Sequence, residues 1–293
     1  MHNKPDIQQV RDALPIKIED LSFLDDGGHK IVYKGTVNNS VEAIKLIFIP
    51  SSASVNEEEI VKENIYRAKR EIDILRKIKC LSLVKLGTIK PTNLTIGGFN
   101  FILYSEEYIA GKNLSYLIKN KYSPDQNELN LLCKSLINCV YELNNNSIVH
   151  RDIKPLNIIK TNITNRPFVL LDLGIAFIVD STNYTIDSRL VPGTTPYLAP
   201  EFFHDGFRDR LDFRADLYCI GLTIYEFATS THPFKAYHRD NTLSNIRDIT
   251  PVSLKVKRPD LNDSFCKLID SWLKKKPMLR QSDFNNIYKI IET

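Results

Sequence analysis

The sequence lacks several features that mark whole classes of protein. No apolar stretch is long enough to cross a bilayer, and the N-terminal residues contain no apolar run of the signal-peptide type. The five cysteines include no CxxC pair and no metal-ligand spacing, which indicates reduced thiols rather than a disulfide framework or a zinc site. Together these absences predict a cytoplasmic protein that does not act in a membrane.

The chain also has little excess charge and no internal repeat. Its 39 Lys and Arg residues against 35 Asp and Glu give a formal net charge of +4. This excess suits anionic ligands but is too small to indicate a nucleic-acid partner. With 293 residues, of which 43% are hydrophobic, the chain can bury one large core or form two lobes.

The hydrophobic pattern changes from strand-like to helical along the chain. Two β-branched runs, HKIVYKGTV and SVEAIKLIFI, flank an Asn-Asn-Ser turn and predict a hairpin. Apolar residues at helical spacing predict a helix over 57–79, strands return around a Gly-Gly turn, and helical patterns dominate after residue 113.

This pattern predicts an α+β fold with two lobes. A small β-rich lobe with one main helix would span about 18–108, after an N-terminal extension over 1–17. A hinge at about 107–113 would connect it to a larger α-helical lobe over 114–293.

Polar side chains concentrate in the loop HRDIKPLN, which follows a predicted helix and precedes a predicted strand. The Asp152 carboxylate could accept a proton from a hydroxyl, and Lys154 would place positive charge where a phosphoryl group gains negative charge. Asn157 in this loop and Asp172 in LLDLG offer hard oxygen ligands, which suit Mg²⁺ held together with phosphates.

A second group of residues lies in the predicted small lobe. Lys45 stands in the strand VEAIK, and Glu71 in the predicted helix could pair with it. A lysine oriented by a carboxylate can bind the α- and β-phosphates of a nucleotide. Gly27 and Gly28 precede a strand and could form a flap over phosphates.

Four motifs, VEAIK, HRDIKPLN, DLG and GTTPYLAPE, occur in this order along the chain. In order and separation they resemble the eukaryotic-type (Hanks-type) protein kinase catalytic domain, Ser/Thr branch, over residues 18–291. The resemblance implies the bilobal protein kinase-like fold and an ATP-dependent protein serine/threonine kinase. It also implies ATP with Mg²⁺ or Mn²⁺ as cofactors, and protein substrates with Ser/Thr acceptors as partners.

The resemblance implies roles for individual residues. Asp152 would be the catalytic base, Lys154 the γ-phosphate contact, and Asn157 and Asp172 the metal ligands. The expected nucleotide-binding residues are Lys45, Glu71, Gly27, Gly28, Val32, Ala43, Glu107 and Ile109. The expected structural residues are Glu201, which would pair with Arg280, and Asp216, which would hold the backbone of the catalytic loop.

The resemblance also implies regulation by phosphorylation of the segment between Asp172 and Glu201. Arg151, beside the catalytic Asp, would bind a phosphate on that segment. Ser188 is the first candidate for autophosphorylation, and Thr185 and Thr182 follow it. A transient homodimer would allow one chain to phosphorylate another.

The sequence departs from the family pattern at two places. Only Gly27 keeps its position in the Gly-rich loop. A charged residue, Glu106, falls at the gatekeeper position, where an apolar residue is usual, unless the alignment slips by one and places Ser105 there. These departures leave a pseudokinase, which acts as a binding or scaffold module, as an alternative function. A small-molecule phosphotransferase of kinase-like fold also stays open, although GTTPYLAPE resembles a platform for a peptide substrate.

Overall fold

The computed structural model describes residues 5–27, 30–49, 55–173, 176–178, 195–204, 206 and 211–292. These residues divide into two compact units. The first unit holds the described residues up to Lys77 together with Val84–Ile109. The second holds Ile78–Leu83 and the described residues from Ala110 onward.

The first unit is built on an antiparallel sheet of five strands in the order β1-β2-β3-β5-β4. The turn between β2 and β3 consists of Asn38 and Asn39, whose φ angles are 48° and 64°. Asparagine tolerates this left-handed backbone, which the tightest hairpin turns require. The five strands are β1 (Glu19–Gly27), β2 (Lys30–Val37), β3 (Ser40–Ile49), β4 (Thr92–Ile96) and β5 (Phe99–Glu107).

The two faces of this sheet bury different partners, because side chains alternate along each strand. One face carries Ile44 and Leu103 and packs with Val10 of the short helix α1 (Ile7–Ala13). The other face packs on Ala68 and Ile72 of the long helix α2 (Val55–Lys77). The odd-numbered residues of β3, from Ala43 to Ile47, therefore lie on the α2 face.

The second unit is mainly helical. Its short strands are β6 (Lys112–Asn113), β7 (Ile148–Val149), β8 (Ile158–Lys160), β9 (Phe168–Leu170) and β10 (Phe177–Ile178). Its α-helices are α3 (Leu114–Lys119), α4 (Gln126–Asn144), α5 (Arg214–Thr229), α6 (Arg239–Asp248), α7 (Leu254–Lys257), α8 (Asp263–Trp272) and α9 (Phe284–Ile291).

Helix α5 forms the centre of the second unit. It is buried on nearly every side, as expected of a helix with little polar surface. Gly221 lets α8 approach closely, because a Cβ atom at this position would lie 3.0 Å from the Cβ atom of Trp272. The Trp272 indole, itself fully buried, donates a hydrogen bond to the Gln281 carbonyl at 2.8 Å.

The predicted fold class is confirmed: a β-rich unit with one main helix precedes a larger helical unit in the chain. The helix predicted over 57–79 is α2, which begins and ends two residues earlier, at Val55 and Lys77. No helix of the described part of the chain is both long enough and apolar enough to span a membrane.

Candidate active site

Lys45 is the central charged residue of the first unit. It lies on β3, is only 5% exposed, and donates a hydrogen bond from Nζ to Glu71 Oε1 on α2 at 2.9 Å. Its Nζ also contacts the carboxylate of Glu106 on β5. The structure thus brings together the two residues that the sequence paired, and it adds a second carboxylate to the same ammonium group.

Sequence reasoning missed the contact between Lys45 and Glu106. The contact follows from strand register: Glu106 lies opposite Ala43, so its side chain shares a face with those of Ala43 and Lys45. Ser105 lies on the other face, where its hydroxyl donates a hydrogen bond to Glu42 Oε2 at 2.5 Å. Glu106, rather than Ser105, is therefore the residue beside Lys45.

Burial raises the pKa of Glu106 to about 7, against the favourable effect of Lys45 and with a further increase from the negative charge of Glu71. Two carboxylates and one ammonium in a buried place carry a net negative charge if all three ionise. Protonation of Glu106 removes that charge. The Lys45 ammonium would then keep its ion pair with the Glu71 carboxylate.

Replacing Glu106 with Gln should change how stability depends on pH. A carboxyl group whose folded pKa of about 7 lies above its unfolded value binds a proton more tightly in the folded state. The wild-type free energy of unfolding should therefore fall as pH rises through the window between these two pKa values. The free energy of unfolding of Glu106→Gln minus that of the wild type should increase by roughly 2 kcal/mol between pH 5 and pH 8. Urea unfolding at several pH values measures this difference, and a flat or decreasing difference would contradict the account.

The other predicted nucleotide residues of the first unit lie on or beside the same strands. Val32 lies opposite Lys45 in the β2–β3 ladder, and Gly27 ends β1 at an exposed position. Glu107 donates its backbone N–H to the Lys85 carbonyl at 3.0 Å. A bound nucleotide would therefore contact the backbone carbonyl of Glu107 rather than its N–H. Ile109 ends the unit, and no hydrogen bond within the described residues uses its N–H. Gly28 lies outside the described residues.

In the second unit, the loop between β7 and β8 holds three polar side chains together. Lys154 Nζ lies 2.6 Å from Asp152 Oδ2. Asn157 Nδ2 donates to the same oxygen and to the Asp152 carbonyl, each at 3.0 Å. Asp152 is thus held by a cation and by an amide donor, while its side chain stays 12% exposed. A carboxylate in this setting keeps a fixed orientation and can still be reached by a ligand.

The backbone of this loop is held by Asp216 at the start of α5. The two carboxylate oxygens accept hydrogen bonds from the His150 N–H at 2.8 Å and the Arg151 N–H at 2.9 Å. Burial raises the pKa of Asp216, while His150, Arg151 and both backbone hydrogen bonds oppose that rise. Arg151 itself is buried and has a φ of 69°, a left-handed conformation that costs free energy outside glycine.

Asp172 follows β9 and also has a left-handed backbone, with a φ of 62°. Ile158 of β8 lies opposite Leu170 of β9, and just beyond this pair the Leu171 N–H donates to the Asn157 carbonyl at 2.8 Å. The chain therefore brings the backbone of Asn157 next to the residue that precedes Asp172. Backbone strain of this kind is common at functional sites.

An amide oxygen and a carboxylate suit a hard cation such as Mg²⁺. Because Asn157 uses its Nδ2 towards Asp152, its Oδ1 is the atom with which it would hold a cation. Within the described ranges, no three or more His, Cys, Asp or Glu residues cluster as a metal site. A divalent cation at Asn157 and Asp172 would thus need further oxygen ligands from phosphates or water.

Glu201 and Arg280 form a buried ion pair. Arg280 Nη1 and Nη2 each lie 2.7 Å from one oxygen of the Glu201 carboxylate. The Arg280 side chain is 0% exposed and the Glu201 side chain 14%. A bidentate pair of this kind fixes both direction and distance. The predicted phosphorylation sites Ser188, Thr185 and Thr182 lie outside the described residues.

Comparison with known proteins identifies the family. Residues 19–290 match the protein kinase domain family. A probable serine/threonine-protein kinase of Clostridium acetobutylicum is 29% identical over 89% of this chain and 37% of its own length. Serine/threonine-protein kinase TIO of Arabidopsis thaliana is 27% identical over 89% of this chain and 18% of its own.

Serine/threonine-protein kinase 36 of Pongo abelii is 26% identical over 74% of this chain and 15% of its own length. The chain therefore spans at most 37% of these three curated relatives. The resemblance drawn from the four motifs is confirmed by this match over most of the chain. The β-rich unit, the helical unit and the extent of the match show that the chain belongs to the protein kinase family.

Proposed function

We propose that the chain is an ATP-dependent protein kinase that transfers the γ-phosphoryl group of ATP to Ser or Thr hydroxyls. The observation that carries this proposal is the orientation of Asp152 by Lys154 and Asn157, on a backbone held by Asp216. Membership of the protein kinase family implies the use of ATP and a divalent metal. The relatives named above are serine/threonine-protein kinases, which supports this choice of acceptor.

In the proposed reaction, Asp152 receives the proton of the acceptor hydroxyl as that oxygen bonds to the γ-phosphorus. The bond between that phosphorus and the β–γ bridging oxygen breaks, and ADP leaves. Lys154, 2.6 Å from Asp152, supplies positive charge close to the transferred group. The contribution of the protein is mainly positioning and charge stabilisation, as is usual for phosphoryl transfer.

Asn157 and Asp172 would hold the divalent cation, for which we propose Mg²⁺, with Mn²⁺ as a substitute. When bound, such a cation neutralises charge on the phosphate oxygens. The two residues offer an amide oxygen and a carboxylate oxygen, and the hydrogen bond from the Leu171 N–H holds the Asn157 carbonyl next to the residue that precedes Asp172.

Lys45 would bind the α- and β-phosphates, oriented by Glu71. Their hydrogen bond of 2.9 Å supports this role. Gly27, Gly28, Val32, Ala43, Glu107 and Ile109 complete the proposed nucleotide contacts. Ionised Glu106 would compete with the phosphates for the Lys45 ammonium, since both are anions that approach the same Nζ atom.

The contact between Lys45 and Glu106 also favours a second candidate function. If Glu106 keeps Lys45 from the phosphates, the chain would be a pseudokinase that serves as a binding or scaffold module. All the residues proposed for the chemistry are nevertheless present in the sequence: Lys45, Glu71, Asp152, Lys154, Asn157 and Asp172. We therefore place the active enzyme first.

We further propose that phosphorylation between Asp172 and Glu201 regulates activity, with Arg151 as the phosphate-binding residue. Ser188, Thr185 and Thr182 remain the candidate acceptors. Autophosphorylation in a transient homodimer would supply the phosphate. A cytoplasmic location, whose reducing conditions suit a chain with five free cysteines, is part of the same proposal.

Phosphoamino-acid analysis tests both the acceptor and this regulation. The chain is incubated with γ-labelled ATP, Mg²⁺ and a protein acceptor, and the labelled products are hydrolysed and mapped. We expect phosphoserine and phosphothreonine on the acceptor, and a labelled peptide from residues 173–200 on the chain itself. Phosphotyrosine alone would overturn the Ser/Thr assignment. A labelled acceptor with an unlabelled chain would overturn only the proposed autophosphorylation.

A further inference from the structure

Two cysteine thiols of the second unit are in contact. Cys80 Sγ and Cys139 Sγ lie 3.7 Å apart, although the two residues are 59 positions apart in sequence. Cys139 is fully buried in α4, whereas Cys80 lies in the turn after α2 and is partly exposed. All five cysteines of the chain are free thiols.

The position of Cys80 is fixed by its neighbours in the chain. Arg166 donates its Nε to the Leu81 carbonyl and its Nη2 to the Leu83 carbonyl, the latter at 2.8 Å. The Leu170 N–H of β9 donates to the Ser82 carbonyl at 2.8 Å. These bonds anchor the turn next to α4, so the two sulfurs are held close before any reaction, which favours their reaction with each other.

The two thiols differ in reactivity. The hydrogen bond from Cys139 lowers the pKa of Cys80, and this effect exceeds the opposing effect of burial. Burial raises the pKa of Cys139 above the range of a reactive thiol. Cys80 thus has the properties of an attacking thiolate, and Cys139 those of a thiol that reacts in a second step.

We propose that Cys80 and Cys139 form an intrachain disulfide when the chain meets a peroxide. The Cys80 thiolate attacks one peroxide oxygen, the O–O bond breaks, and hydroxide leaves, which gives a sulfenic acid on Cys80. The Cys139 sulfur then attacks the Cys80 sulfur, and the S–OH bond breaks with release of water. Overall the two thiols lose two protons and two electrons, and hydrogen peroxide becomes two molecules of water.

The reaction needs only a small movement. The sulfurs must approach from 3.7 Å to about 2.0 Å, and Cys80 lies outside any helix, so its side chain can move. The disulfide would join α4 to Cys80, which lies three residues after the end of α2 at Lys77. A reducing thiol would restore the free cysteines, so the modification would be reversible. This inference does not depend on the proposed phosphoryl transfer.

Mass mapping of the full chain tests the proposal directly. The reduced protein is exposed to a small excess of hydrogen peroxide, alkylated with N-ethylmaleimide, and digested without reductant. We expect a linked peptide pair that contains Cys80 and Cys139, with a mass loss of about 2 Da from two hydrogens. Of the five thiols, the three outside the link should remain open to alkylation under denaturing conditions.

Single variants separate the two roles. In Cys139→Ala, Cys80 should form no link, and it should react with peroxide more slowly than in the wild type, because it has also lost the hydrogen bond that lowers its pKa. Cys133→Ala, which changes another buried thiol of α4, should form the link as the wild type does. A wild-type map in which Cys80 is oxidised without a link, or in which another pair is linked, would overturn the proposal. That wild-type result decides the matter even if a variant does not fold.

Discussion

Replacing Asp152 with Asn should lower kcat for transfer to a peptide by about a thousandfold, with the KM for ATP changed by no more than about threefold. The Asn side chain has the same shape and still offers an oxygen to Lys154 and Asn157, so the loop should keep its conformation. It has no carboxylate to receive the proton of the acceptor hydroxyl. Initial rates at varied ATP and varied peptide give kcat and both KM values.

The matched control is Asp263→Asn on α8, where an exposed carboxylate pairs with Lys255. This variant makes the same chemical change at a surface that we assign no role in the reaction, and it should keep wild-type kcat. If Asp152→Asn keeps its kcat as well, Asp152 is not the base. If its kcat falls only in proportion to the unfolded fraction, the effect is structural, and thermal unfolding of the variant distinguishes this case.

Replacing Arg280 with Ala should lower the free energy of unfolding by about 3–5 kcal/mol, because it leaves Glu201 as a largely buried charge without its partner. The guanidinium also donates hydrogen bonds to the backbone carbonyls of Lys274, Lys275 and Arg214 at 3.0, 3.2 and 2.8 Å. Its loss would leave these acceptors with fewer partners as well. Urea unfolding at constant pH measures the change.

Lys134→Ala is the control for this experiment. The Lys134–Glu292 pair has nearly the same N–O distance, 2.9 Å, but its side chains are 47% and 57% exposed. An exposed pair contributes roughly 0–1 kcal/mol, so this variant should lie close to the wild type. If both variants lose the same amount of unfolding free energy, burial does not determine how much the Arg280–Glu201 pair contributes to stability.

Local sequence signals predicted the individual elements well, because their causes are local. The β2–β3 hairpin follows from two β-branched runs around Asn38 and Asn39, and α2 from apolar residues at helical spacing. The end points of α2 were wrong by two residues at each end, since helix ends depend on capping and tertiary packing more than on periodicity.

Contacts between distant residues were harder to predict. The sequence leaves Glu106 and Ser105 as alternatives for the gatekeeper position, because a shift of one residue moves a side chain to the opposite face of a strand. The register of β3 with β5 places Glu106 on the Lys45 face. A local sequence pattern does not specify that register, because it depends on the pairing of residues about sixty positions apart.

Tertiary contacts account for the remaining differences. Cys133 and Cys139 lie in α4, within the part of the chain after residue 113 where the sequence predicts helices. No local signal indicated that Cys80 would reach Cys139, because Arg166 and the edge of β9 fix the turn that carries Cys80. The left-handed backbone at Arg151 and Asp172 was likewise beyond prediction, since neither residue type favours that conformation as strongly as glycine does.

The most direct test of the central claim compares phosphate transfer by the wild type and by Asp172→Ala. Both proteins are incubated with γ-labelled ATP, Mg²⁺ and a protein acceptor, and the initial rate of label incorporation is measured. We expect steady incorporation by the wild type and a loss of at least about a hundredfold in the variant. A folded wild-type chain that transfers no more label than the variant would contradict the account and favour a binding module.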